Sequence, residues 1–340
     1  MSKKKEITIY DIAQQLNISP ATVSRGLKNN PVINYKTRER IKDTAKKLGY
    51  RSNTFASNLR KNRTDTIGVI VPRLNSSFMS DVIAGIEKVA NEAGYNLIIS
   101  QSLEQAGKEV INAATMFNSR VDGLLVSLAY NVDKIDHFEP FIQKEIPLLF
   151  FDRVEELKNC STIVINNFKA AYEITSHLIA QDCKNLFHIT GNLSRNVYRD
   201  RFNGFKRAVC DNGLDFDPDN ILITDLSFNA GRQAAQHLMN MKNKPDGVFA
   251  ANDSSAVSCM LELKKNDIRI PDDILFAGFN NDPISMVVEP NLTTIDYRGI
   301  EMGELSAHTL INQLNTKQPH NLTHSIIMRH KLLIRQSTQR

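Results

Sequence analysis

The sequence predicts an all-α head over residues 1–63 and a longer α/β body over residues 64–340, the body folded as two lobes on parallel sheets. Three observations predict this. Residues 1–63 carry 15 Lys and Arg against four Asp and Glu, a net +11, whereas the rest of the chain carries 27 against 33, a net −6. Helix start and stop signals crowd the head. Short apolar runs alternate with amphipathic stretches through the body, and that series begins again part-way along.

In the head, Thr8 stands where a helix N-cap is needed and Asp11 three residues on, the capping-box spacing with Asp for the usual Glu. Ile9, Ile12, Ala13 and Leu16 follow at helical spacing, and Asn17-Ile18 breaks the run. Ser19-Pro20 is a second start, with Pro at the first helical position. That helix runs through Leu27 and ends at Asn29-Asn30-Pro31. A third spans about Tyr35 to Leu48, with Asn34 as its cap and Gly49 closing it. Two short helices across a tight turn with a third packed on them is the helix-turn-helix plan. The second helix must be small and polar on one face to enter a major groove. Ala21, Thr22, Ser24 and Arg25 meet that need. Arg25 can grip a guanine with two hydrogen bonds, and Ala21 or Thr22 can touch a thymine methyl. A strongly basic head on an acidic body fits a polyanionic partner; a merely solubilising charged tail would not carry ordered helix signals.

In the body, Ile67–Val71, Leu97–Ile99, Leu124–Val126 and Leu148–Phe151 read as buried strands, with a helix over Asp81–Ala93 ended by Gly94. A second series opens at Leu186–Ile189, with a helix over Arg201–Asn212. Val121-Asp-Gly-Leu-Leu-Val-Ser127 and Pro245-Asp-Gly-Val-Phe-Ala-Ala251 look equivalent, as do Leu148–Asp152 and Ile274–Asn280. Two such lobes leave a cleft at the carboxyl ends of their strands, where α/β folds bind ligands. Ser127, Asp152, Asn252 and Asn280 follow strands and are candidates for it. His188 lies in a strand and reads as core.

Other classes are less well served. No run approaches the ~18 apolar residues of a membrane span. Met1–Glu6 is positive, but no apolar stretch follows, so secretion is not expected. Cys160, Cys183, Cys210 and Cys259 are scattered without a C-x-x-C pair, which fits a reducing cytoplasm and neither a disulfide frame nor a zinc site. No phosphate-loop, dinucleotide, zinc-protease or nucleophile-elbow motif occurs, so no enzyme activity and no cofactor are expected. Two alternatives stand beside a DNA-binding regulator: a solute binder without a DNA role, and an α/β enzyme acting on a sugar or nucleotide.

The strings Thr8-Ile-Tyr-Asp-Ile-Ala13, Ser19-Pro-Ala-Thr-Val-Ser-Arg25, Thr37-Arg-Glu-Arg-Ile41 and Leu48-Gly-Tyr50 resemble the lactose-repressor/galactose-repressor family. The resemblance continues through the body to Arg329–Thr338. It implies a hinge helix at about residues 53–60, Asn53-Thr-Phe-Ala-Ser-Asn-Leu59, that orders on DNA and presses Leu59 into the minor groove as an apolar wedge. Candidate DNA contacts are then Thr8, Tyr10, Ser19, Ala21, Thr22, Ser24, Arg25, Lys28, Asn34, Thr37, Asn53, Ala56 and Leu59. The sequence departs from the family at Ser52 for Pro, Ser57 for Arg, Lys28 for Asn and Gly26 for Val. The resemblance further implies a periplasmic-binding-protein-like body with three crossovers, near Ile165-Asn166, Leu292-Thr293 and His324-Ser325. Lobe 1 would hold about 64–165 and 293–324, and lobe 2 about 166–292 and 325–340. It places effector contacts at Arg201, Asp152, Asn252 and Asn280 and in the Asn75–Phe78 loop, with Ser76 and Phe78 as candidates there. A ligand role is preferred for Arg201 and Asn252, and a structural one for Asp253 and Asp282. Asn280 stands where many members have Asp. The implied partners are double-stranded operator DNA, a small carbohydrate-derived effector and a second copy of the chain. With no heptad run after the last strand, a homodimer is preferred to a tetramer.

Overall fold

The structure, a computed structural model, describes residues 7–50, 63–132, 134–155, 157, 160–316 and 323–339. The expected hinge helix, with Asn53, Ala56 and Leu59, lies outside the described residues. The chain divides into two units, Met1–Thr64 and Asp65–Arg340.

The head holds α1 (Ile9–Leu16), α2 (Pro20–Leu27) and α3 (Tyr35–Leu48). The predicted caps form. The Thr8 N–H and hydroxyl both donate to the Asp11 carboxylate, at 2.8 and 2.6 Å. The Thr22 N–H donates to Ser19 Oγ at 3.1 Å, and the Lys36 N–H to Asn34 Oδ1 at 2.9 Å. Asn17 and Gly49 end α1 and α3 in the left-handed conformation. Ile12, Ala13, Val23, Ile41 and Ala45 form the buried core between the three helices. Gly26 faces that core, where a Cβ would meet the end of the Ile41 side chain.

The body opens with a six-stranded sheet ordered β11-β5-β4-β3-β1-β2, parallel throughout. Its strands are β1 (Thr66–Val71), β2 (Asn96–Gln101), β3 (Gly123–Val126), β4 (Leu148–Phe151), β5 (Ser161–Ile165) and β11 (Ser325–Met328). The helices α4 (Ser77–Glu92), α5 (Ala106–Asn118) and α6 (Glu139–Gln143) connect them, and α12 (Gly299–Asn315) lies along α4. The second lobe has a parallel four-stranded sheet, β7-β6-β8-β9, of β6 (Leu186–Thr190), β7 (Ile221–Ile223), β8 (Gly247–Ala250) and β9 (Leu275–Ala277). Its helices are α7 (Asn167–Ala180), α8 (Asn196–Asp211), α9 (Phe228–Asn240), α10 (Asp253–Lys264) and α11 (Ile284–Val287). Between the lobes β10 (Thr294–Asp296) pairs antiparallel with β12 (Lys331–Leu333).

β5 ends at Ile165 in the first sheet and α7 opens the second lobe at Asn167, as expected for the first crossing. The second falls later than Leu292-Thr293, because Thr293 still bridges Ala277 and Asp296 bridges Asn280, both in parallel on the second lobe. The third does not fall at His324-Ser325. β11 still belongs to the first lobe, parallel to β5, and the chain leaves only between Met328 and Lys331. The strand is a short edge strand whose residues alternate between exposed and half-buried, so it carries no buried apolar run to announce it. The final turn, Gln336–Thr338, then docks on the second lobe, where Ser337 Oγ donates to Phe276 O at 2.6 Å. Two helices also begin earlier than expected, α4 at Ser77 rather than Asp81 and α8 at Asn196 rather than Arg201. Neither Ser76 nor Arg195 makes a side-chain cap, so the first turns lack the usual sequence signal.

Candidate DNA-reading face and interlobe cleft

On α2, Ala21 and Arg25 are exposed and Ser24 is half-buried, with Lys28 exposed just past the helix end. The Arg25 side chain holds no hydrogen bond to a described residue, so its fork is available to a base edge. Thr22 is half-buried and its hydroxyl lies 2.8 Å from Ser19 Oγ, so this pair serves the cap as well as any outside contact. Tyr10 is 68% exposed, so its ring is open to an outside contact. Tyr35, 67% exposed with the Arg38 guanidinium 5.9 Å from its ring centroid, and Val32, 77% exposed, are open in the same way and were not among the sequence candidates. Asn34 is engaged in capping α3, and Thr37 is half-buried on its first turn.

The cleft of the body encloses about 420 Å³. Ser76, Phe78, Asp152, Arg201, Asn252 and Asn280 all line it. Ser127 does not. It is fully buried behind Asp152, its hydroxyl donating to Asp152 Oδ2 at 3.4 Å, so it supports the wall and is withdrawn as an effector contact. β3 ends one residue before Ser127, and all four of its residues are buried, so the position just after it is still enclosed.

Arg201 lies inside α8, not at its start, and is 4% exposed. Its Nε donates to Asn167 Oδ1 at 2.9 Å and its Nη1 to Ala251 O at 2.7 Å. The guanidinium stacks 3.6 Å from the Phe279 ring centroid. Burial lowers its pKa from the ordinary arginine value. Nη2 is left without a hydrogen bond to a described residue. Asp152 sits at φ +58 with Oδ1 accepting from the Tyr297 hydroxyl at 2.8 Å, and Phe78 stacks on that tyrosine at 4.4 Å. These groups form a rigid wall of guanidinium, carboxylate and aromatic face.

Asn252 is largely spent on structure. Its Oδ1 caps α10 by accepting from the Ser255 N–H at 2.9 Å, and its Nδ2 donates to Leu226 O at 2.9 Å. Geometry therefore favours a cap that borders the cleft over the ligand contact first preferred. Asn280 stands at φ +114. Asp282 itself lines the cleft. Asp253 is sealed behind it, accepting from Thr294 Oγ1 at 2.6 Å and the Asp282 N–H at 2.7 Å. Burial, with the Asp282 charge beside it, pushes the Asp253 carboxyl up to about 7, and burial pushes Asp282 up to about 6. Each group then holds its proton more tightly folded than unfolded. Stability of the body is expected to fall as pH rises from about 4 towards 7 and to level off above, with a shallower fall in Asp253→Asn. Urea midpoints across that range check the sign.

The sequence did not single out Glu104, Tyr130, Arg153, Tyr198 or Tyr297, all on the cleft wall. They come from five separate loops and helices, and no local spacing marks them.

Family models match both units. The model for bacterial regulatory proteins of the lacI family covers residues 8–53, and that for periplasmic binding proteins and the sugar binding domain of the LacI family covers residues 64–336. The chain belongs to the LacI family. Among curated relatives, this LacI-family chain is 29% identical over 335 residues to catabolite control protein A of Priestia megaterium, covering 98% of this chain and 99% of the relative. Its fold is similar to the Lac repressor dimer bound to operator and the anti-inducer ONPF, at TM-score 0.87 and 24% identity over 98% of this chain and 99% of the other. It is also similar to the transcriptional regulator CelR in its cellobiose complex, at TM-score 0.73 and 21% identity over 98% of this chain and 100% of the other. The LacI-family protein is thus a DNA-binding transcriptional regulator with a helix-turn-helix head and a parallel-sheet α/β body. Among the described residues no helix is long and apolar enough to cross a membrane, and no group of His, Cys, Asp and Glu could hold a metal ion.

Proposed function

We propose that the protein is a repressor that binds a roughly two-fold symmetric operator as a homodimer, one head per half-site, and that a small carbohydrate-derived effector in the cleft sets its operator affinity. The buried Arg201 carries the effector reading. It is held in place by two neighbours, its Nη2 has no partner among the described residues, and it lines a cleft of about 420 Å³ whose walls carry Asp152 and the Phe78 and Tyr297 rings. Such a wall suits a polyhydroxylated ring, with paired hydroxyls on charged groups and the ring face on aromatics. A solved relative carries cellobiose, and the family model names a sugar-binding domain. An effector that fits one lobe arrangement better shifts the population of that arrangement and with it the operator affinity.

A second copy is the partner for the outer edge of the first lobe. There the unpaired strand β2 exposes Ile98 and Ile99, and the adjacent α5 exposes Val110 and Ile111. The four cysteines are all free thiols, as suits a reducing cytoplasm.

Selecting bound sequences from a random DNA pool, then measuring release from the selected site with cellobiose and a panel of mono- and disaccharides, tests this reading. A near-palindromic site and at least one releasing sugar are expected. Binding insensitive to every sugar would overturn the effector class, and binding without sequence preference would overturn the operator role. Arg25→Ala is expected to cost about 1–3 kcal/mol on the selected site and to relax preference at one base pair. Equal losses on selected and random DNA would sink its base-reading role.

A further inference from the structure

Two pairs of residues, Glu104 with Arg153 and Tyr130 with Tyr198, meet at the cleft wall where the two lobes touch. Arg153 Nη1 donates to both Glu104 oxygens at 3.0 and 2.8 Å within the first lobe. Its Nη2 reaches across to the Tyr198 hydroxyl of the second lobe at 2.9 Å. The Tyr130 hydroxyl of the first lobe lies 3.1 Å from the same oxygen, and the Arg153 guanidinium lies over the Tyr130 ring, 4.4 Å from its centroid. The Tyr198 hydroxyl thus has two partners, both on the facing lobe.

These parts are held stiffly. Leu103, Glu104 and Asp152 all take positive φ values, 52°, 62° and 58°, a conformation side chains other than glycine seldom adopt. Those residues set the turns that aim Glu104 and Arg153 at each other. The loop bearing Tyr130 is fixed from behind, its N–H donating to Glu104 Oε2 at 3.1 Å and the Ala129 N–H to the fully buried Glu109 at 2.8 Å. On the other lobe the Tyr198 ring packs flush on Gly191, where a Cβ would meet the ring carbons. Beside it Asn196 bridges the lobes, accepting from the Val154 N–H at 3.0 Å and donating to Asp152 O at 3.0 Å.

We infer that Tyr198 and Arg153, with Glu104 and Tyr130, form a latch that holds the two lobes together before any effector is bound. Arg153 is a fixed arm on the first lobe, and Tyr198 is the catch on the second. Strain at Glu104 and Asp152 is tolerated because the buried Glu104–Arg153 pair would otherwise be unmet. Opening the cleft must break the bonds to the Tyr198 hydroxyl together, so the latch sets how often the empty cleft admits a ligand. This goes beyond the regulatory reading and does not depend on which sugar binds.

Hydrogen–deuterium exchange on the full chain, without DNA or sugar, tests the latch. Tyr198→Phe keeps the ring on Gly191 and removes the hydroxyl. Exchange in residues 128–132 and 192–198 and at the Val154 amide is expected to rise about tenfold or more, the effect of two ordinary hydrogen bonds lost. β1, β3 and β8 should keep their protection. Tyr130→Phe removes one bond and should give a smaller rise at the same segments. Unchanged exchange at those segments in both variants would overturn the latch, as would a rise in both variants spread equally over the sheets. Because no effector is present, failure of the latch and failure of the sugar reading give separate results.

Discussion

Gly303→Ala is expected to destabilise the body by about 3 kcal/mol, at the upper end of overpacking costs. In an exposed helix the same change would stabilise by up to about 1 kcal/mol, because alanine gives up less backbone entropy than glycine. Here the new Cβ would fall inside contact distance of Val82 O and the Ile86 N–H of α4. Those are backbone atoms of a packed helix, so no side chain can turn aside. Gly85 stands in the mirror position, its missing Cβ facing Ile300 O and the Glu304 N–H of α12. The two helices therefore touch backbone to backbone, and steric cost outweighs propensity. Gly107 is the control. It is a helical glycine of α5 with nothing near its missing Cβ, so Gly107→Ala should be neutral or slightly stabilising. Thermal unfolding should show Gly303→Ala melting on the order of 10 °C lower in a unit of this size, with Gly107→Ala unmoved or higher. Equal melting temperatures for the two would refute the close helix packing.

How much of this was legible beforehand depended on whether the signal was local. The head's caps at Thr8, Ser19 and Asn34 were, because a cap and its helix lie within a few residues of each other. The paired strings Val121-Asp-Gly and Pro245-Asp-Gly were also informative. Asp122 and Asp246 do the same task in the two lobes, each taking an N–H at or just before the lobe's first strand, from Thr66 at 3.3 Å and from Lys184 and Asn185 at 2.8 and 3.0 Å. A repeated structural need left a repeated string. The start of α8 left none, because Arg195 spends its side chain on Val132 O in the facing lobe instead of capping its own helix. β11 was missed because it adds to the far side of β5 from a distant part of the chain. Ser127 and Asp152 looked alike in sequence, each following a strand, yet one faces the cleft and the other sits behind it. The latch was invisible for the same reason: residues 104, 130, 153 and 198 meet only once both lobes are folded.

Arg201→Met should remove most of the effector response while leaving the fold intact. Methionine is similar in length and unbranched, so it can fill much of the channel beside Phe279. What it cannot do is donate. Asn167 Oδ1 and Ala251 O each lose the arginine, and any ligand oxygen at Nη2 loses a charged donor. Hydrogen bonds to charged groups contribute about 1.5–3 kcal/mol, so the sugar concentration for half-release of operator should rise roughly 10- to 150-fold. Two effects oppose each other in stability. Unmet acceptors in a buried wall cost free energy, whereas removing a desolvated guanidinium, whose pKa burial already lowers, restores some. Operator affinity without sugar should therefore change little, and the loss should appear in the response alone. Arg201→Lys separates charge from shape. One ammonium cannot span Asn167, Ala251 and a ligand at once, so lysine should restore only part of the response. If Arg201→Met answered to sugar at the wild-type concentration, the guanidinium would be a strut of α8 and the effector would be held elsewhere on the cleft wall.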